Sequence, residues 1–214
     1  MRWAWVFVAI ALVAGAAIFV VQRSEAKQSG PVAVVGDSIT FVSTGAIRDE
    51  LTPQFHPLTK SVLGATVARM VPVAGRLAAQ HPRQAVIELG TNDVLHGGDL
   101  ASAEAQYEKM VDQFARAGVE CIHVVNINTR MRARGTPAYE KAEAFNQFLD
   151  GLADRGDVVV IDWDAAVQDS AERRQHESSP RLISDTVHPT AEGSHVMAQL
   201  IHDSLDDGCH SGLF

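Results

Sequence analysis

Hydrophobic positions along this chain fall into two rhythms. Short, mainly apolar runs bounded by turn residues occur at residues 32–35, 85–89, 121–127 and 158–161, with a weaker one over residues 55–62. Runs of this length suit strands buried on both faces of a parallel sheet. Between them the spacing changes to i, i+3, i+4, as in Tyr107, Met110, Val111 and Phe114, then Phe145, Phe148, Leu149 and Leu152, and finally Val196, Met197, Leu200 and Ile201. That is the signature of helices with one buried face. Val67, Met70 and Val71 hint at another helix, which Pro72 predicts to start or kink at that point.

Strand alternating with helix predicts an α/β domain, a three-layer αβα sandwich. Parallel strands need crossover connections, and right-handed crossovers place helices on both faces of the sheet. All strands then end on one rim. Ser38, Gly64, Asn92, Asn128 and Trp163 each follow a predicted strand, and a final helix starting near Thr190 puts His188 on the same rim. Ligands of open α/β sheets bind at that edge.

The first apolar run is of a different kind. Residues 3–21 carry no charge, Arg2 precedes them, and Arg23 and Lys27 follow. As a helix the run would rise roughly 28 Å, about one bilayer core. A membrane anchor, a cleaved signal peptide and a buried core helix all fit an apolar run. Trp3 and Trp5 sit where interfacial aromatics are favoured, and Ala14-Gly15-Ala16 and Ser24-Glu25-Ala26 offer small residues for cleavage. Both the anchor and the signal peptide put the remaining chain outside the cytoplasm. The expected division is therefore 1–21 anchor or signal, 22–30 linker, and 31–214 catalytic domain.

The 214 residues are 46% hydrophobic with a net charge of −8. That composition suits one domain with a sizeable core. Residues 1–30 hold Arg2, Arg23, Lys27 and Glu25, so without them the charge goes from −8 to −10. Nucleic acid is disfavoured as a partner by this sign, and the domain by itself has no attraction for anionic lipid. A membrane partner is expected only through an uncleaved leader, and a monomer is expected.

The chemistry starts at Gly36-Asp37-Ser38, directly after the run at 32–35. A serine hydroxyl becomes a nucleophile only when a base takes its proton. Among the 9 histidines, those with a carboxylate three residues earlier include His123 with Glu120, His188 with Asp185, His195 with Glu192, and His210 with Asp207. His123 lies within a predicted strand and reads as a packed residue. His195 reads as a surface helix pair, and His210 falls at the far end of the sheet. Only Asp185 and His188 share a polar loop at the rim, kept non-helical by Pro189. There the carboxylate orients one ring nitrogen and the other receives the Ser38 proton. Asn92, in Gly90-Thr91-Asn92-Asp93, and the backbone N–H groups of Gly64 and Ser38 are candidate donors to an oxyanion. Asp37 and Asp93 read as structural acceptors.

At this point the chain resembles the SGNH hydrolases, the GDSL esterase and lipase superfamily. Gly36-Asp37-Ser38-Ile39-Thr40 is similar to its first block, Gly64 to its second, Gly90-Thr91-Asn92-Asp93 to its third, and Asp185 to His188 to its last. The likeness extends over about residues 32 to 201. It implies a flavodoxin-like parallel sheet of five strands, a Ser38 nucleophile, a His188 base, an Asp185 orienting acid, and an oxyanion hole from Ser38, Gly64 and Asn92. It implies no metal and no organic cofactor, and the chain has no Cys-x-x-Cys or His-Glu-x-x-His.

The activity expected is hydrolysis of carboxylic esters, with short acyl groups such as acetyl, on a small-molecule or glycan substrate. Two rivals use the same fold: a cell-surface acyltransferase with the same triad, and a non-catalytic binding module. Asn128 and Arg130 are candidate substrate-pocket residues, and Arg130, Arg132 and Arg134 together could steer an anionic substrate or merely solvate a loop. Trp163 could line the pocket or cap the core. Cys121 and Cys209 both fall near the sheet's opposite end, where a disulfide and two free thiols are alternatives.

Overall fold

The computed structural model describes residues 30–133 and 135–210, and of His210 only the backbone. The leader at 3–21, the linker up to residue 29, and Arg134 lie outside these residues. In chain order the elements are β1 (Pro31–Gly36), α1 (Ser38–Leu51), β2 (His56–Ser61), α2 (Val67–Ala78), β3 (Gln84–Glu88), α3 (Thr91–Leu95) and α4 (Leu100–Arg116). There follow β4 (Cys121–Val125), β5 (Arg132–Ala133), β6 (Thr136–Pro137), α5 (Tyr139–Leu152), β7 (Val158–Ile161), α6 (Trp163–His176) and α7 (Ala191–Asp207).

Strands β2, β1, β3, β4 and β7 lie in that order in one five-stranded, fully parallel sheet. The apolar alternation along each strand divides the core in two. Ala33, Val35, Ala85 and Ile87 face α2, α4 and α5, whereas Val32, Val34 and Val86 face α1, α6 and α7. Every predicted strand is present. The short hairpin of β5 and β6 and the helix α6 were not foreseen: the loop after β4 carries no apolar run, and α6 buries only Trp163, Val167 and Ser170. Helix α2 starts at Val67, before Pro72, which sits inside it.

Several helix starts carry side-chain caps. Asp37 caps α1 by accepting from Ile39 N–H at 2.8 Å, Asp162 caps α6 from Ala165 N–H at 2.9 Å, and Thr190 caps α7 from Gly193 N–H at 3.0 Å. Each satisfies a helix-terminal donor that no turn of the helix can reach.

The sheet order has a functional consequence. The chain winds outward from β1 to β2, then returns across β1 to β3 and onward to β4 and β7. The reversal lies between β1 and β3, where the connections leave in opposite directions and open a crevice at the strands' carboxyl ends. Ser38 follows β1 and Asn92 follows β3, so the two flank that crevice.

At the other end, Cys121 opens β4 and is joined to Cys209 by a disulfide with Cα atoms 5.4 Å apart. The bond ties the end of the chain after α7 to the base of the sheet. Nearby, His123 is fully buried. Its Nδ1 pairs with Ser204 Oγ and its Nε2 with Gln84 Oε1, both at 2.7 Å, and burial lowers its pKa to about 4. It is a packed strand histidine, as expected. His195 and Glu192 are both exposed, and no bond forms between them.

Candidate active site

The sharp exit from β1 is the first determinant of the site. A Cβ on Gly36 would lie 1.9 Å from Thr40 Oγ1 and 3.1 Å from the Glu88 carbonyl, so only glycine lets α1 turn back so closely over β3. Ser38 thereby becomes the first residue of α1. With the proton on Nδ1, the His188 ring donates to Asp185 Oδ2 at 2.8 Å, and its Nε2 accepts from the Ser38 hydroxyl at 3.0 Å. Asp185 Oδ1 accepts from the N–H groups of His188 at 2.8 Å and Val187 at 3.0 Å. Burial pushes the Asp185 carboxyl up, but the His188 ring and these two N–H groups outweigh it and hold the pKa at about 2.

The loop bearing this pair is pinned from several sides. Asn128 Nδ2 donates to the Thr186 carbonyl at 3.0 Å, and Ser184 N–H and Oγ each donate to the His188 carbonyl at 2.9 Å. Thr186 sits at φ 91, a left-handed conformation that a β-branched residue adopts only when its surroundings hold it there.

Asn92 is buried and donates to Asp37 Oδ2 at 2.7 Å. An amide nitrogen has two hydrogens, so the second is left for the crevice. The exposed Gly64 has no acceptor for its N–H among the described residues. Asp93 Oδ2 accepts from Val67 N–H at 3.0 Å and fastens α2 to the same rim. Asp37 and Asp93 are thus both acceptors that hold backbone.

Three sequence-level expectations change here. Trp163 is 1% exposed and belongs to the core against α1 and α7, so it caps the core and lines no pocket. Arg132 turns its guanidinium onto the Gly135 carbonyl of its own hairpin, at 2.6 and 3.0 Å, which among the described residues leaves Arg130 as the candidate for steering. Asn128 lines a cavity beside Asp185, but its amide also braces the loops there, donating to the Thr186 carbonyl and accepting from Arg130 N–H.

Glu88 was missed altogether. It sits within the run Ala85-Val86-Ile87-Glu88-Leu89, is 3% exposed, and its Oε2 accepts from Thr40 N–H at 3.1 Å and Thr40 Oγ1 at 2.9 Å. Asp37, fully buried, adjoins it, and burial raises the pKa of both carboxyls. A lone acid inside an apolar strand was the available signal, since a buried carboxyl needs dedicated partners. Asn146 was similarly overlooked in this role: it brackets Ile127 N–H and C=O, both at 2.9 Å, and stiffens the exit from β4.

On the Asn92 side, an open groove of about 520 Å³ runs along α3 between Val94, Leu95, Pro137 and Tyr139. Among the described residues no cluster of three or more His, Cys, Asp or Glu side chains is placed to hold a metal ion, and no helix is long and apolar enough to cross a membrane.

Residues 34–196 match the sequence profile of the GDSL-like lipase/acylhydrolase family, and the chain belongs to that family of serine ester hydrolases. Solved structures agree on the fold. The acetyl xylan esterase AlAXEase is 17% identical with a TM-score of 0.71, over 81% of this chain and 98% of its own. A putative acylhydrolase from Bacteroides fragilis is 18% identical with a TM-score of 0.69, over 83% and 86%. A catalytic mutant of Axe2, an acetylxylan esterase from Geobacillus stearothermophilus, is 18% identical with a TM-score of 0.65, over 82% and 93%. No curated protein matches the sequence. The protein is thus an esterase or acylhydrolase on an SGNH-type sheet.

Proposed function

We propose that this protein hydrolyses short-chain carboxylic esters, acetyl esters foremost, through a Ser38, His188, Asp185 triad and an acyl-enzyme. The observation that carries the reading is the continuous contact from Ser38 Oγ through the His188 ring to Asp185. Ser38 Oγ attacks the acyl carbon while His188 Nε2 takes its proton. Asp185, held ionised by its donors, stabilises the imidazolium that results. The negative oxygen is met by Asn92 Nδ2 and by the N–H groups of Ser38 and Gly64. Collapse of the intermediate breaks the ester bond, and His188 gives its proton to the leaving alcohol. Water then attacks the acyl-serine by the same route in reverse, releasing the acid and restoring Ser38.

Short acyl groups fit the short connections between the described elements, which leave no large lid among the described residues, and the likeness to acetylxylan esterases points to a glycan alcohol. The Cys121–Cys209 disulfide and the apolar leader together support a site of action outside the cytoplasm. Ser38→Ala should abolish turnover of p-nitrophenyl acetate and labelling by a fluorophosphonate, and retention of the wild-type rate would exclude Ser38 as nucleophile. A series of esters of graded length tests the acyl preference. Faster turnover of long chains would assign them to the groove along α3 instead.

A further inference from the structure

Beside the Asp185 loop, on the side away from Asn92, lies a cavity of about 320 Å³ that the hydrolytic steps do not use. Three arginines line it from separate parts of the chain: Arg130 after β4, Arg174 in the last turn of α6, and Arg181 in the segment leading to Asp185. In a chain of net charge −8 this is a local excess of the opposite sign.

Among the described residues none of the three makes an ion pair. Arg130 Nη1 donates to the neutral Gln168 Oε1 at 3.1 Å, and Arg174 Nε to the Ser170 carbonyl at 3.3 Å. The backbone of Arg181 is fixed because its carbonyl accepts from Thr190 Oγ1 at 2.6 Å. The sole carboxylate in the lining is Asp185, whose two oxygens are already occupied by His188 and Val187. Val167 and Leu182 supply an apolar floor, which lowers the local dielectric and strengthens attraction for an anion. Guanidinium groups with free N–H edges recognise carboxylate and phosphate oxygens in particular.

The cavity shares Asp185 with the catalytic loop, so it lies beyond the His188 ring from Ser38, on the Asp185 side, where only a substrate arm longer than a short acyl group reaches it. From this geometry, and resting on the esterase reading above, we propose that the cavity binds an anionic group carried by the alcohol part of the ester substrate. The preferred substrates are acyl esters of acidic alcohols whose carboxylate or phosphate is far enough from the ester oxygen to reach past the His188 ring.

The test compares an acetyl ester whose alcohol bears a carboxylate, the same ester as its primary amide, and a phosphate-bearing analogue. Wild-type full-length protein should favour each acidic ester over the amide about tenfold in kcat/KM at low salt, the sum of several partly exposed charge pairs. Raising the salt should shrink the ratio. In the Arg174→Gln, Arg181→Gln double variant the ratio should fall to about twofold or less, with the melting temperature as the control for folding. Equal handling of acid and amide by the wild type, or a ratio that survives in the double variant, would overturn the proposal. Affinities measured by calorimetry on Ser38→Ala read the cavity apart from turnover. Tighter binding of the acid without any hydrolysis by the wild type would support the cavity and count against the esterase reading. Hydrolysis with equal affinities would do the reverse.

Discussion

The carboxyl pair beneath the nucleophile makes a prediction of stability against pH whose sign is unusual for acids. Burial raises Asp37 from 3.8 to about 6, against the Ile39 N–H and the Asn92 amide, which favour its charged form. Burial also raises Glu88 well above 4.5, helped by the Asp37 charge and opposed by Thr40. A carboxyl with a raised folded-state pKa holds its proton more tightly when native. Its stabilising contribution is complete below the unfolded value and is lost as pH rises from there through the folded value. For Asp37 the window runs from about pH 4 to about pH 6, worth about 3 kcal/mol. Glu88 adds a further decline of about 1.4 kcal/mol per pH unit for as long as it stays protonated in the native state. Asp185 has the opposite sign. Its depressed pKa of about 2 gives a contribution present above 3.8 and lost as pH falls toward 2, so it is constant from pH 5 upward.

The perturbation is Glu88→Gln. The amide oxygen can still accept from Thr40 N–H and Oγ1, and the amide nitrogen can donate toward Asp37, so the packing is kept while one titration and one like-charge repulsion are removed. Urea unfolding at about pH 5, 6 and 7 should show the variant losing less stability than the wild type across that range, by no more than about 1.4 kcal/mol per pH unit. Parallel curves for the two proteins would refute the reasoning, because they would mean that Glu88 titrates alike in the folded and unfolded chains.

Asn92→Ala removes a proposed oxyanion donor and should lower kcat by about 10²–10³; a loss under about tenfold on p-nitrophenyl acetate would remove Asn92 from that role. Gly90→Ala places a Cβ 2.1 Å from Phe145 Cε1 at φ +117. Overpacking and backbone strain together should cost on the order of 2–5 kcal/mol, a drop of about 5–15 °C in Tm by calorimetry. An unchanged Tm would contradict the packing described. Cys209→Ser opens a loop whose ends are 88 residues apart, and should lower stability by about 2–5 kcal/mol in urea. Equal stability of variant and wild type under non-reducing conditions would show that the bond contributes nothing.

Much of this was legible because strands and amphipathic helices announce themselves by period. The runs at 32–35, 85–89, 121–127 and 158–161 became the strands β1, β3, β4 and β7, and the helical faces of α4, α5 and α7 were where the spacing put them. Helix α6 was not, because a helix that buries only three residues leaves little periodic signal. Glu88 was overlooked for a related reason: a pattern search treats an acid within an apolar run as noise, whereas its meaning depends on Thr40, 48 positions away.

By itself the sequence determined the αβα class, the rim, and which serine, histidine and aspartate belong to it. Those follow from local periodicity, turn residues and motif spacing, all of which act over a few neighbouring positions. Only the tertiary structure decided that β1 and β3 flank the crevice, that Trp163 turns inward, that Cys121 meets Cys209, and that Arg130, Arg174 and Arg181 line one cavity. Each of these depends on which distant segments pack together, and packing is settled by the whole core at once.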